Sequence, residues 1–212
     1  MAGHQFENAI LIESQYFPNI FYYKTLINSD ILLIERYEHY QKMSFRNRCY
    51  VAGPNGRILL SVPLTHGKNQ RTVVKDVKIS YDEKWQDLHF KTLLSAYRRS
   101  PWFEYFEDQL AALFSQKFTY LLDWNMACFE WVNKRINVTT PVSLTESYRG
   151  ASELEAGITD MRGTLLPANM ESYGEQLPGY TQVFGERTGF LPNLSILDLL
   201  FNEGKNCLAH LK

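Results

Sequence analysis

Leu11-Ile12-Glu13-Ser14-Gln15-Tyr16-Phe17-Pro18-Asn19-Ile20-Phe21-Tyr22-Tyr23 is the stretch whose reading decides the fold. A short apolar run ends in a polar pair, an aromatic turn containing Pro18 follows, and a helix then runs toward Asp30. A second apolar run, Ile31-Leu32-Leu33-Ile34, comes directly after it. Strand, loop, helix and strand in that order make a βαβ unit, so the expected class is α/β with a parallel or mixed sheet and flanking helices. Open α/β sheets place ligands at the carboxyl ends of their strands, which puts the expected cleft at this first loop. Glu13 is the carboxylate best placed there to face a ligand; the structural alternative is a capping or solvated strand-end residue.

Outward from this unit the chain changes character. Cys49-Tyr50-Val51-Ala52 and Arg57-Ile58-Leu59-Leu60-Ser61-Val62 flank Gly53-Pro54-Asn55-Gly56, whose Asn-Gly pair predicts a β-hairpin. Alternation from Val73 to Ile79 predicts another strand. Helical periodicity then fills a block at 84–135, in three pieces: Lys84–Arg99, a helix opened by Ser100-Pro101, and Thr119–Arg135. A strand is expected over Val138–Leu144. The Gly-, Ser-, Glu- and Pro-rich region 147–182 reads as a long, partly mobile excursion. Ser195 caps, and Gly204 stops, a short apolar C-terminal helix. All of this is expected to form one domain over residues 1–212.

Hydrophobic residues at 45% and charged residues at 21% are those of a folded chain with a sizeable core. A net charge of −1 makes no case for nucleic acid, and no apolar run reaches the ~20 residues of a membrane span. Cys49, Cys128 and Cys207 are widely spaced and form no CxxC pair, which argues against a disulfide framework or a zinc site. The first residues lack a signal-peptide pattern. The expected location is cytoplasmic. No motif names a cofactor, and the oligomeric state is left open.

Charge is uneven along the chain. From Lys42 to Lys78 there are eight basic residues against Asp76 alone, a local charge of +7. From Glu146 to Glu186 seven acidic residues face Arg149 and Arg162, a local charge of −5. Basic side chains beside the opening loop suit an anionic small molecule, because guanidinium forks bind phosphate and carboxylate oxygens bidentately. The alternative is that the two segments pair with each other on the surface. His39, His66 and His89 are the candidate acid–base groups, since imidazole titrates near neutrality. His89 lies beside the apolar stripe of its helix, a place usually held by a structural histidine. The chain has no G-x-S-x-G, no P-loop and no G-x-G-x-x-G.

A series of local matches runs through these elements. It comprises Phe17-Pro18 with Tyr22, Ser29-Asp30-Ile31-Leu32-Leu33-Ile34, Tyr40-x-Lys42, Phe45-x-Asn47-Arg48, Val62-Pro63, Trp85-x-x-x-His89 and Ser100-Pro101-x-Phe103. Leu191-Pro192-Asn193-Leu194-Ser195-Ile196-Leu197-Asp198-Leu199-Leu200-Phe201-Asn202 closes it. The series resembles the WbqC-like family over nearly the whole chain. That resemblance implies a transferase role in O-antigen or other surface-polysaccharide biosynthesis, with aminoacyl (glycine) transfer to a sugar, or nucleotidyl transfer, as the candidate chemistry. A non-catalytic binding or assembly protein of envelope biosynthesis is the alternative. The opening layout also loosely resembles HIGH-type nucleotidyltransferases. Residues expected to contact a nucleotide or nucleotide sugar are Pro18, Tyr22, Lys42, Asn47 and Arg48, with Glu13 or His89 as the general base. Where the family usually has Gln-Pro and then a Gly in its opening, this chain has Glu13-Ser14 and Phe21.

Overall fold

A computed structural model describes residues 7–65 and 71–212; His66 and its loop lie outside them. Strand β1 (Ala9–Glu13) is buried along its whole length, as expected of a parallel strand covered on both faces. The chain turns through Ser14–Asn19 into α1 (Ile20–Ile27), where the Asn19 side chain accepts from the Tyr22 N–H and caps the helix. It returns as β2 (Ile31–Glu35), parallel to β1 and in a register that sets Glu13 opposite Glu35. The opening βαβ unit is therefore present as expected.

Two further strands complete a parallel sheet of order β5-β2-β1-β6: β5 (Val142–Leu144) beside β2 and β6 (Ile158–Asp160) beside β1. Between β2 and β5 the chain inserts an antiparallel hairpin, β3 (Arg48–Gly53) and β4 (Gly56–Ser61), with Pro54-Asn55 making the turn between the paired Gly53 and Gly56. Helices α2 (Trp85–Tyr97), α3 (Phe103–Phe114) and α4 (Leu121–Ile136) follow. After β6 come α5 (Met170–Gly174), α6 (Gly185–Thr188), α7 (Ile196–Glu203) and α8 (Cys207–Leu211).

Four expectations change. Val73–Ile79 is not a strand: Val74–Asp76 is a 3-10 turn that buries Val74, while Val77 and Ile79 fill the core. Its backbone meets several neighbours at scattered points rather than along one strand, among them Val74 N–H to Glu38 O, Lys75 N–H to Arg36 O, Leu121 N–H to Val77 O and Ile79 N–H to Thr119 O. Alternation expected Val73, Lys75, Val77 and Ile79 on one face, but the 3-10 turn buries Val74 from the other face and leaves Lys75 exposed. The strand expected from Val138 begins at Val142, because left-handed Asn137 ends α4 and Pro141 has no N–H to donate. Ser100 does not cap α3; its hydroxyl returns to the Tyr97 carbonyl, and Trp102 takes the cap position. Within 147–182 the chain adds the edge strand β6, whose following turn donates from the Met161 N–H to Leu11 O.

The core is one contiguous apolar cluster, rich in aromatic contacts. Trp124 is fully buried and meets Trp85 and Phe114 edge-on, both at 5.5 Å between ring centres. Helix α7 fits the expectation: the Ser195 hydroxyl accepts from Leu197 N–H, and Gly204 ends it at φ 56°.

Candidate functional site

The opening loop is not an open cleft. Ser14, Gln15, Tyr16 and Phe17 are all buried, and Phe17 takes a left-handed φ of 40° to make the turn. The C-terminal block holds the loop from behind. Ser195 Oγ donates to Phe17 O at 2.9 Å, Ile196 N–H to Pro18 O at 2.8 Å, and Ile20 N–H to Leu194 O at 3.0 Å. Pro18 and Tyr22 face a crevice shared with Ser14, Gln15 and Asn125 that is too narrow for water. The Tyr22 hydroxyl donates to Glu13 O at 3.3 Å. The expected cleft is filled because segments far apart in sequence close on it: α4 through Asn125, Met126 and Phe129, and the segments 158–164 and 191–201.

At the carboxyl ends of β1 and β2 stands a cluster of buried ions. Glu13 Oε1 accepts from Gln15 Nε2 at 3.1 Å and Oε2 from the Gly163 N–H at 2.8 Å. Glu35 accepts from the Tyr37 N–H at 2.7 Å, Thr145 Oγ1 at 2.8 Å and Arg162 Nη1 at 3.1 Å. Arg162 also forks onto Asp160, holding that carboxyl below its ordinary range chiefly through these hydrogen bonds. Arg46 donates to Glu38 Oε1 from Nε at 2.8 Å and Nη2 at 2.6 Å, and its Nη2 lies 3.7 Å from Glu13 Oε2. Burial raises the Glu38 carboxyl to about 7 despite Arg46, with Glu13 and Glu35 adding to the rise.

Glu35, Glu38, Arg46 and Arg162 were not singled out from sequence. A signal existed for the first: Leu-Ile-Glu ends both β1 (Leu11-Ile12-Glu13) and β2 (Leu33-Ile34-Glu35). Two strands of a parallel pair that end alike bring their carboxylates side by side.

An open groove of about 440 Å³ lies beyond this cluster, lined by Tyr40, Lys42, Asn47, Arg48, Ser61 and Pro63 with their neighbours. Three of the residues expected to bind a ligand, Lys42, Asn47 and Arg48, thus share one wall. Asn47 is fixed in place: its Oδ1 accepts from the Tyr40 hydroxyl at 3.0 Å and its Nδ2 donates to Val62 O at 2.9 Å. The Arg48 guanidinium lies 3.7 Å from the Met43 sulfur, and neither it nor Lys42 forms an ion pair with a described residue. The basic and acidic segments meet in the ion pair of Arg57 with Glu171 at 2.7 Å, which involves neither Lys42 nor Arg48.

His89 stands behind this wall. Its Nδ1 shares a 3.0 Å hydrogen bond with the Tyr16 hydroxyl, and its ring packs edge-on against Trp85. Burial lowers its pKa to about 4, opposed by a hydrogen bond to the Ser61 backbone. The imidazole is therefore neutral at pH 7; donation to the Ser61 carbonyl leaves Nδ1 to accept from Tyr16. His39 is exposed and its Nδ1 lies 3.0 Å from Arg71 O. Among the described residues, no group of three or more His, Cys, Asp or Glu side chains is arranged to hold a metal ion. No helix of the described residues is long and apolar enough to cross a membrane.

A parallel α/β sheet with buried ions at its carboxyl edge and a basic groove beside them defines an α/β protein with a built polar site. A family model described as the WbqC-like protein family matches residues 13–164. The chain belongs to the WbqC-like family. The match takes in the opening loop, the groove and the ion cluster, and ends before the C-terminal block that holds the loop. No curated protein and no solved structure matches the chain, so the likeness to HIGH-type nucleotidyltransferases rests on the strand–loop–helix layout alone.

Proposed function

We propose that the protein is a transferase of surface-polysaccharide biosynthesis, and that its groove holds the anionic part of a nucleotide-activated or amino-sugar substrate. The observation that carries this is the convergence of Lys42 and Arg48, both free of ion pairs with described residues, on one open groove beside a fixed Asn47. Two cations with no acidic partner among the described residues attract phosphate oxygens, and a guanidinium can engage two of them at once. Membership of the WbqC-like family supports the pathway but names no donor or acceptor.

Glu13 and His89, expected as general bases, stand one layer behind the groove. Glu13 acts on it through Arg46, which immediately precedes Asn47, and His89 through the Ser61 backbone. Their part in this function is to position the wall. The closed opening loop favours a second reading, a binding or assembly protein that holds the same anion without turning it over.

A thermal-shift screen of uridine and cytidine diphosphates and their sugar conjugates tests the groove. At least one should raise the melting temperature, and Arg48→Ala should remove that shift; a shift that survives Arg48→Ala places the anion elsewhere. Release of free nucleotide from a bound sugar conjugate separates the transferase from the binding protein.

A further inference from the structure

A second open groove, of about 580 Å³, is lined by Arg57, Glu171, Glu175, Phe190, Leu191 and Pro192. Helix α5 and the segment 190–192 form its walls, and their spacing is fixed. Gly174 sits against Pro192, where a Cβ would come within 2.6 Å of Pro192 Cβ. Asn193 Nδ2 donates to Met170 O at 3.0 Å and ties the start of α5 to the same segment. The buried Gln182 grips Leu191 by both backbone groups: the Leu191 N–H donates to Oε1 at 2.8 Å, and Nε2 donates to Leu191 O at 2.9 Å. Phe190 is 42% exposed, yet its ring is held. Tyr180 meets it edge-on at 5.3 Å between ring centres, and the Tyr180 hydroxyl donates to the buried Asp198. An exposed aromatic ring already fixed by its neighbours offers apolar surface at little further cost in ordering.

The polar lining complements that ring. Glu171 and Glu175 lie one helical turn apart, and both are exposed. Arg57 Nη1 donates to Glu171 Oε1 at 2.7 Å, while the Glu171 side chain remains 72% open to solvent. A pyranose has the matching surface. Its C–H groups make an apolar patch that packs on an aromatic ring, and each of its hydroxyls both donates and accepts. The charged groups of the lining, two carboxylates and one guanidinium, sum to a negative charge. That charge admits a neutral sugar or the ammonium of an amino sugar and repels a uronic acid.

We propose that this second groove is a carbohydrate subsite, with a neutral or amino sugar packed on Phe190 and its hydroxyls held by Glu171, Glu175 and Arg57. The hairpin links it to the first groove. Arg48 stands opposite Ser61 in the β3–β4 register, and both line the first groove. Arg57 precedes Ser61 by four residues on β4 and so shares its face. The two grooves thus lie at either end of one hairpin face, roughly 13 Å apart, with exposed Leu59 between them. A diphosphate and one sugar ring span that distance. The sugar in the second groove is therefore the acceptor, across from a donor whose diphosphate lies at Lys42 and Arg48. This role rests on the transferase reading; the sugar binding itself does not.

The test is saturation-transfer NMR of the full chain with the methyl pyranosides of glucose, galactose, rhamnose, N-acetylglucosamine, N-acetylgalactosamine, glucosamine and glucuronic acid. A thermal shift with uridine diphosphate runs in parallel. At least one neutral or amino sugar should receive saturation, strongest at its ring C–H protons, and the glucuronide should receive none. Phe190→Leu keeps an apolar side chain without a ring and should weaken that glycoside about tenfold, whereas Phe190→Tyr should retain it. Glu175→Ala, at an exposed position, should weaken it without touching the fold. Silence from every glycoside overturns the subsite, and uridine diphosphate binding in the same protein leaves the first groove standing. Binding indifferent to both Phe190→Leu and Glu175→Ala places the sugar elsewhere and overturns it too, as does a glucuronide that binds as tightly as the neutral sugars. A glycoside that binds as expected, with no response to uridine diphosphate, keeps the subsite but removes the donor groove and with it the acceptor role.

Discussion

Glu13 and Glu35 are cross-strand partners at the carboxyl ends of adjacent parallel strands, and both carboxylates are buried. Two like charges at neighbouring strand ends persist only because each is separately satisfied, Glu13 by Gln15 and the Gly163 N–H, Glu35 by Tyr37, Thr145 and Arg162. The segment after β6 thus holds the first two strands together electrostatically as well as by backbone pairing.

Removing that support should be costly. Arg162→Ala leaves Glu35 and Asp160 without their cation and is expected to lower the unfolding free energy by about 3 kcal/mol. Urea denaturation measures it. The double variant with Glu35→Gln should recover part of the loss, and no recovery would show that Arg162 acts mainly through Asp160.

His89 gives a pH signature. Its pKa is lowered by burial from 6.5 to about 4, so the native state binds fewer protons than the unfolded chain between these values. Stability contributed by neutral His89 is therefore complete above pH 6.5 and lost as pH falls toward 4. The advantage of the native protein over His89→Gln should grow by up to roughly 3 kcal/mol from pH 4 to pH 7, measured by denaturant titration at each pH.

Tyr40→Phe removes only the hydroxyl that orients Asn47. The expected loss in stability is about 1 kcal/mol. Nucleotide affinity should fall several-fold, because Asn47 then keeps its Val62 bond but loses the one that holds its Oδ1 in the groove wall. Isothermal titration with uridine diphosphate reads the second effect, and an unchanged affinity would separate Asn47 from ligand binding.

Gly204 ends α7 with φ 56°, and a Cβ there would lie 2.3 Å from Trp102 Cδ2. Gly204→Ala should destabilise by roughly 2–4 kcal/mol through the clash and the left-handed backbone together. Thermal unfolding would show it. Ser195→Ala should be milder, about 1 kcal/mol for the lost cap, with a further loss from the freed Phe17 carbonyl.

Local pattern determined the βαβ opening, the Asn55-Gly56 hairpin, three helices between 84 and 136 and the capped helix after Ser195. Each of these is set by neighbours within a few residues: apolar period, turn chemistry, a capping hydroxyl. The shared wall of Lys42, Asn47 and Arg48 was legible for the same reason, since six residues of chain already bring them close. Tertiary structure alone decided that the loop Leu11–Tyr23 is closed, because its covers come from 125–129, 158–164 and 191–201, all more than a hundred residues downstream. It also decided the state of Glu13, Glu35 and Glu38. A carboxylate's burial, partners and proton affinity depend on which distant side chains share its space, and Arg46 and Arg162 reach these three only once the sheet has formed.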